Sequence, residues 1–271
     1  MSIKDCRKMN EYICGKIRSF TDIAVVGLSG GADSTLVATL CTEALGITNV
    51  YGVSMPYNKF DIENFNARST RLAAYLGLVH HWRSIDKIAD AIDESIAWFE
   101  HQPTDLNKGN SRSRARMCVL YGFAHTLGSA FPGKKVRVMG TGNLSEDFIG
   151  YDTKGGDALA DIFPIGELYK SEVYQMLEYF RDKGVIKEEH IDRVPSAGLE
   201  NGQTDEGDLG YTYNEMEPAI KFCRENHRFV VESSIEKGVV DKIFEFVWKR
   251  HMANKHKHEA PPVLSLRNLI D

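Results

Sequence analysis

The feature that most constrains the fold is the segment Ser-Gly-Gly-Ala-Asp-Ser at positions 29–34, which separates two different hydrophobic patterns. The apolar run at 23–28 has the character of a strand. After the segment, apolar residues recur at three- and four-residue intervals from Leu36 to Leu45, which predicts a helix. Two glycines permit a tight turn and let a ligand approach the main chain. The pattern therefore predicts a strand–turn–helix corner.

Such a corner is suited to binding phosphate, because its N–H groups and the positive end of the new helix face one point. It is not a Walker A loop, since no Gly-Lys-Ser/Thr follows the glycines. Ser29 and Ser34 can donate hydrogen bonds, and Asp33 can hold Mg²⁺ against bound phosphates. The alternative is an ordinary capped corner. The concentration of small and acidic residues favours the phosphate site, so we expect the chain to bind a nucleotide.

The rest of the chain predicts an α/β fold. Further apolar runs of strand character lie at 50–55, 78–82 and 136–140. Helical patterns lie at 2–20, 61–76, 86–100, 111–129, 212–226 and 238–253. Strands that alternate with helices of this length indicate βαβ units, hence a Rossmann-like parallel sheet with helices on both faces. The ligand of such a sheet lies at the carboxyl ends of its strands, where Ser29, Met55 and Thr141 emerge.

Composition restricts the function classes. A length of 271 residues suits one α/β domain, which we divide into a core at about 20–185 and a helical region at about 186–262. The net charge of −5 argues against a nucleic-acid or membrane surface. No apolar run reaches the length of a membrane span, and we expect no secretory signal. Five scattered cysteines without a Cys-x-x-Cys pair suit free thiols, so we expect a cytoplasmic protein.

An arginine-rich segment at 105–116 precedes or opens a predicted helix. Arg114 lies one turn before Met117, which begins the apolar stripe, so its side chain is predicted to point inward. An inward arginine needs an anion, and a substrate phosphate or carboxylate would supply one. Arg112 is predicted to lie on a solvated face. A nucleic-acid patch is the alternative for the segment.

Two later segments add candidate site residues. Thr141 follows the fourth strand and is placed to contact a nucleotide. Glu146 is either the carboxylate of a capping box or the partner of Asp33 in a Mg²⁺ site, and the sequence leaves both open. Lys154 lies within a polar, Gly-rich loop and Lys170 follows it. Both could neutralise a transferring phosphoryl group, although solvated surface lysines are the alternative.

Taken together, these segments resemble the NAD synthetase family. Residues 29–34 resemble the PP-loop of the N-type ATP pyrophosphatases, which defines only the superfamily. The more specific segments are Asn107–Asn110 with Arg114 and Arg116, Gly140–Thr141 with Ser145–Glu146, Thr153–Lys154 and Gly156–Asp157 with Asp161, then Pro164, Leu168 and Lys170, and finally Gln203–Glu206 and His256–Lys257. The resemblance extends from about residue 10 to 262. Because the chain has no room for the amidase domain of glutamine-using members, the resemblance implies the ammonia-dependent form, without a glutaminase domain.

The resemblance implies a ligase that forms a carbon–nitrogen bond: deamido-NAD, ATP and ammonia give NAD, AMP and pyrophosphate through an acyl-adenylate. It implies Mg²⁺ bound by Asp33 and Glu146, catalytic roles for Asp33, Asp157 and Lys170, with Asp157 near the ammonia pocket, and a homodimer. ATP would be bound by Ser29, Gly30, Gly31, Asp33, Ser34, Thr141, Lys170 and Ser196. Deamido-NAD would be bound by Asn110, Arg114, Lys154, Asp161, His256 and Lys257.

Two other functions are kept as alternatives. One is another PP-loop adenylating ligase that resembles GMP synthetase, with a different acceptor. The other is a non-catalytic RNA-binding module that uses Lys108 and Arg112–Arg116, against which the acidic balance of the chain counts. The sequence also departs from the family at Leu106, where an aromatic residue often stacks on the nicotinate ring.

Overall fold

The computed structural model describes residues 2–57, 62–97, 102–191 and 204–265, with the backbone alone over 62–67. Its sheet is parallel throughout, with the strand order β3-β2-β1-β4. The strands are β1 Ile23–Gly27, β2 Val50–Ser54, β3 Val79–Trp82 and β4 Val136–Met139. Each begins within one residue of its predicted start, and the predicted parallel sheet is confirmed.

The helices surround this sheet and continue beyond it. They are α1 Cys6–Phe20, α2 Ala32–Leu45, α3 Ile62–Leu76, α4 Asp86–Ile96, α5 Asp105–Ala130, α6 Leu144–Ile149, α7 Lys170–Asp182, α8 Asp205–Leu209, α9 Tyr213–Glu225, α10 Arg228–Glu236 and α11 Lys242–Asn254. Helix α5 starts six residues before the predicted position because Thr104 and Asn107 form a reciprocal capping box. The arginine-rich segment is therefore part of the helix.

Both faces of the sheet are covered. On one face, Leu36 and Leu40 of α2 pack with Phe180 of α7 in a fully buried cluster. On the other, Leu120 of α5 packs against Val25 and Val138. Burial on both faces explains why the strands are nearly continuous apolar runs. The predicted Rossmann-like fold class is confirmed.

A third hydrophobic cluster joins the C-terminal helices to the segment around α6. Met216 and Ile220 of α9 and Val247 of α11 are fully buried in it, together with Ile149 at the end of α6. The predicted helical C-terminal region is thus packed on the element that follows β4. The division of the chain at about residue 185 stays a prediction.

The strand order creates a cleft at one place. From β1 the chain runs outward through β2 to β3, and then returns to place β4 on the opposite side of β1. In open parallel sheets, ligands bind outside the carboxyl ends of the strands at such a reversal. The segments after β1 and β4, at 28–31 and 140–143, lie at this point. Within the described ranges, none of the helices combines the length and apolarity needed to cross a bilayer.

Gly52 in β2 gives a test of the packing between sheet and helices. A Cβ atom there would overlap Leu28 and lie 2.8 Å from Leu78 Cδ1, so Gly52→Ala is expected to destabilise the fold by about 1–3 kcal/mol. Gly122→Ala in α5 is the control, because nothing lies within 4 Å of its Cβ position, and we expect it to stabilise the helix by about 0.5–1 kcal/mol. Urea unfolding of both variants measures the difference, and equal midpoints would contradict this packing.

Candidate active site

A cavity of about 870 Å³ opens at the carboxyl ends of β1, β2 and β4. Ser29, the residues at 31–34 and Thr141 line it, as the sequence predicted, whereas the predicted Gly30 is not part of the lining. Its carboxylates outnumber its cationic side chains. The carboxylates are Asp33, Glu146, Asp147, Asp152, Asp157, Asp205 and Asp208, and the cations are Arg116, Lys170, Arg250 and Lys257. An acidic cavity of this kind holds a polyphosphate only with the help of further cations.

The loop after β1 has the geometry of an anion site. Gly30 adopts φ +73°, and a Cβ there would lie 3.0 Å from Arg68 Cβ, so glycine is required. The hydroxyl groups of Ser29 and Ser34 lie 3.0 Å apart, and Gly31 N–H donates to Ser29 Oγ. Helix α2 begins after Gly31 without a side-chain cap, so its first N–H groups are available to a ligand.

Lys170 joins two acidic residues at the centre of the cavity. Its Nζ lies 2.6 Å from Asp33 Oδ2 and 2.8 Å from Glu146 Oε1. The lysine side chain is 4% exposed, and both carboxylates are largely buried. The carboxylate of Glu146 is thus directed at Lys170, which disfavours the capping-box interpretation. We call Asp33, Lys170 and Glu146 the ion triad.

The charges of the triad depend on one another. Burial acts against the ammonium group, but Asp33 and Glu146 overcome it and raise the pKa of Lys170 above its ordinary value. Burial and the nearby charge of Asp33 raise the pKa of Glu146. Lys170 therefore stays charged, and it is the cation that allows the two carboxylates to approach each other.

Two residues that the sequence analysis missed hold the triad in place. Asn143 is fully buried; its side chain accepts from Glu146 N–H as the cap of α6 and donates to Asp33 Oδ1 at 2.9 Å. Glu217 of α9, 2% exposed, accepts from Ser145 Oγ and from Ser171 N–H. Both serines adjoin triad residues in the chain. The position of Asn143 before a helix could have been recognised in the sequence as an N-cap. No feature of the sequence near Glu217 indicates that this glutamate is buried.

Asp157 belongs to a second polar group on the cavity wall. Its carboxylate accepts from Ser113 Oγ and from Thr153 N–H, both at 2.8 Å. Thr153 Oγ1 in turn donates to Asn110 Oδ1 at 2.8 Å. Asp157 is accessible from the cavity, yet desolvation by the surrounding protein raises the pKa of its carboxyl group above the ordinary range. The structure thus brings the predicted residues Asn110 and Asp157 into one network.

The predicted orientation of the arginines is wrong. Arg112 is buried, with its guanidinium 4.4 Å from the Tyr57 ring centroid, whereas Arg114 is exposed and donates to Lys154 O at 3.2 Å. The cause is the helical phase, since Arg112, Arg116 and the buried Leu120 follow one another at four-residue steps. Arg114 lies well off that face. Arg116, rather than Arg114, lines the cavity.

The remaining predicted residues divide into three groups. Lys257 lines the cavity, and its Nζ donates to the carbonyl oxygens of Gly150 and Asp152 at 2.7 Å. Lys154 and His256 are exposed neighbours, and Lys154 Nζ donates a hydrogen bond to His256 O. Asp161, which is also exposed, accepts a hydrogen bond from Val138 N–H of β4. Those three residues are not part of the cavity lining. Ser196 lies outside the described residues.

A parallel sheet whose first strand ends in an anion-binding loop, beside a buried carboxylate–ammonium triad, defines an α/β nucleotide-binding enzyme. The family model described as NAD synthase matches residues 6–261. The NH(3)-dependent NAD(+) synthetase of Wolinella succinogenes is 37% identical over 246 residues, which cover 91% of this chain and 89% of that protein. The chain therefore belongs to the NAD synthase family.

Solved structures agree with this assignment. The NMN synthetase of Francisella tularensis has a TM-score of 0.79 at 27% identity, covering 97% of this chain and 99% of its own. The NH3-dependent NAD synthetase of Campylobacter jejuni, in complex with the nitrate ion, has a TM-score of 0.72 at 28% identity. The latter match covers 96% of this chain and 100% of the other. The similarity thus includes both the sheet and the C-terminal helices.

The support provided by Glu217 can be measured. Glu217→Ala leaves the buried donors of Ser145 and Ser171 without their acceptor, so we expect it to destabilise the fold by about 2–4 kcal/mol. Glu225→Ala on the same helix removes only an exposed pair with Lys221 and should change stability by less than about 0.5 kcal/mol. Chemical unfolding compares the two, and a Glu217 variant as stable as the control would refute the proposed support.

Proposed function

We propose that the chain catalyses the ATP-dependent amidation of deamido-NAD by ammonia, with release of AMP and pyrophosphate. The observation that carries this proposal is the convergence of the 29–34 loop and the ion triad in one cavity, in a chain that matches the NAD synthase family over residues 6–261. The similarity to ammonia-dependent relatives favours this reaction over the GMP synthetase-like alternative.

The reaction needs positioning and charge neutralisation rather than a protein nucleophile. A nicotinate carboxylate oxygen attacks the α-phosphorus of ATP, and the bond to pyrophosphate breaks. Ammonia then attacks the acyl carbon of the adenylate, AMP leaves, and the nitrogen releases a proton. In this scheme the first N–H groups of α2, at 32–34, hold the leaving pyrophosphate. Lys170 neutralises charge at the phosphates, and Asp157, whose carboxylate faces the cavity, orients ammonia.

Asp33 and Glu146 fit the Mg²⁺ that the family implies. Both are carboxylates at the cavity wall, and oxygen donors of this kind are preferred by Mg²⁺. Their side chains already share one cation, the ammonium group of Lys170. When bound, Mg²⁺ would make pyrophosphate a better leaving group. Asp33 and Glu146 would hold it, while Asn143 keeps Asp33 in place.

We also propose that the chain acts as a cytoplasmic homodimer. Arg114, Lys154 and His256 form an exposed chain of contacts beside the cavity, through Lys154 O and Lys154 Nζ. The resemblance assigns these three residues to deamido-NAD, yet they are exposed in the single chain. Their exposure is consistent with a dinucleotide site that a second copy of the chain completes. Leu106, 70% exposed at the start of α5, adds apolar surface nearby.

Product identification tests the reaction. Purified protein mixed with ATP, Mg²⁺, deamido-NAD and ammonium is expected to yield NAD, AMP and pyrophosphate in equal amounts, which chromatography quantifies. Omission of ammonium should leave NAD formation at background. Formation of ADP and phosphate, or the absence of an amide product, would exclude the proposal.

Asp33→Asn tests the role of the triad. The substitution keeps the shape of the side chain but removes the charge that pairs with Lys170 and would bind Mg²⁺, so kcat/KM is expected to fall at least about 100-fold. Asp182→Asn is the control, because that carboxylate is exposed at the end of α7, and its kcat/KM should equal that of the wild type. Steady-state NAD formation measures both, and a fully active Asp33→Asn enzyme would remove Asp33 from the site.

A second candidate function has the same chemistry but a shorter substrate. It is the amidation of nicotinate mononucleotide to NMN, and the structural similarity to an NMN synthetase favours it. Each substrate is supplied in turn with ATP and ammonium, and the ratio of the two kcat/KM values decides between the candidates. We expect the dinucleotide to be preferred, since the curated relative at 37% identity is an NAD synthetase.

A further inference from the structure

Arg116 is a cavity residue with few partners of its own. It is half-buried on α5, between the buried Ala115 and Met117, and lines the cavity beside Met55. Its Nε donates to Met55 O at 3.1 Å, and within the described part of the chain this is its one hydrogen bond, without any ion pair. The terminal nitrogens of the guanidinium therefore retain donors for a ligand.

The charge of Arg116 is poorly compensated. Burial lowers its pKa to about 10, and the charge of Asp157 offsets this only in part. Arg112, one turn earlier in α5, adds a like charge to the same environment. A half-buried guanidinium in such surroundings is stabilised by an anion, which it can bind with two parallel hydrogen bonds. Lys170 differs, because two carboxylates already compensate it.

The position of Arg116 in the cavity indicates which anionic group of the substrates it would bind. Its anchor, Met55, directly follows β2, whereas Glu146 of the triad follows β4. Because β1 lies between these strands, Met55 with its partner Arg116 and Glu146 of the triad follow strands on opposite sides of β1, whose end carries the 29–34 loop. With pyrophosphate on the loop, the α-phosphoryl group is the next anionic group of the nucleotide, and Arg116 is a cavity cation on the β2 side of that loop.

We propose that Arg116 binds the non-bridging oxygens of the α-phosphoryl group of ATP, and hence the phosphate of the acyl-adenylate and of AMP. This inference rests on the proposed function for the identity of the nucleotide. It assigns a ligand to Arg116, which the sequence analysis left without one. The competing ligand is the nicotinate carboxylate of deamido-NAD, since Asp157 lies nearby.

The test compares AMP with adenosine, which differ only in the phosphate. Calorimetry on the full chain is expected to show that Arg116→Met lowers the affinity for AMP by about ten- to a hundred-fold and leaves that for adenosine unchanged. Arg116→Lys keeps the positive charge but loses the two parallel N–H donors of the guanidinium, so it should lower AMP affinity by a smaller factor. Arg18→Met is the control, because Arg18 also donates to a backbone carbonyl but lies on α1, outside the cavity.

Equal AMP affinities for wild type and both Arg116 variants would overturn the proposal. A parallel loss of adenosine affinity would also overturn it, because it would indicate a collapsed pocket. If AMP binding is retained while deamido-NAD binding falls, the carboxylate is the ligand and the assignment is wrong. These measurements do not require turnover. A chain that shows the AMP effect but forms no amide would therefore retain the Arg116 assignment and lose the proposed function.

Discussion

The site depends on the placement of one ammonium group between two carboxylates. Asp33 lies at the start of α2, between β1 and β2, whereas Glu146 and Lys170 lie at the starts of α6 and α7, which both follow β4. Two carboxylates this close repel each other unless a cation lies between them. Lys170 thus fixes how the loop after β1 and the segment after β4 face each other. A buried pair of this kind is weak evidence for stability but defines one geometry. The ion triad is therefore better explained by a role in the binding site than by a role in stability.

The sequence was sufficient for the fold and for the separate members of the triad. Strand starts were predicted to within a residue because buried parallel strands are unbroken apolar runs with clear ends. The strand–turn–helix corner was predictable because two glycines separate a strand pattern from a helical one. The pairing of Lys170 with both carboxylates was not predictable. It joins positions 137 and 24 residues apart, and a single sequence carries no record of such contacts.

The errors have equally specific causes. Arg114 was predicted to point inward from its distance to Met117, but the buried face of α5 is centred further round, along Arg112, Arg116 and Leu120. This error in helical phase led to the choice of Arg114, which is exposed, instead of Arg116, which lines the cavity. Glu217 was missed because its partners lie 46 and 72 residues away. A glutamate in an amphipathic helix has no local mark of burial.

The last described turn of the chain has a consequence for how the protein folds. Lys257 closes over the carbonyl groups of Gly150 and Asp152, which it reaches across 107 and 105 residues of sequence. The pairing of β1 with β4 is of similarly long range, since Ile23 lies opposite Val136, and the Lys170–Asp33 pair spans still more of the chain. The sheet, the ion triad and this wall of the pocket therefore all depend on contacts between distant parts of the chain. No short segment can assemble the pocket by itself, so the binding site is completed only together with the fold.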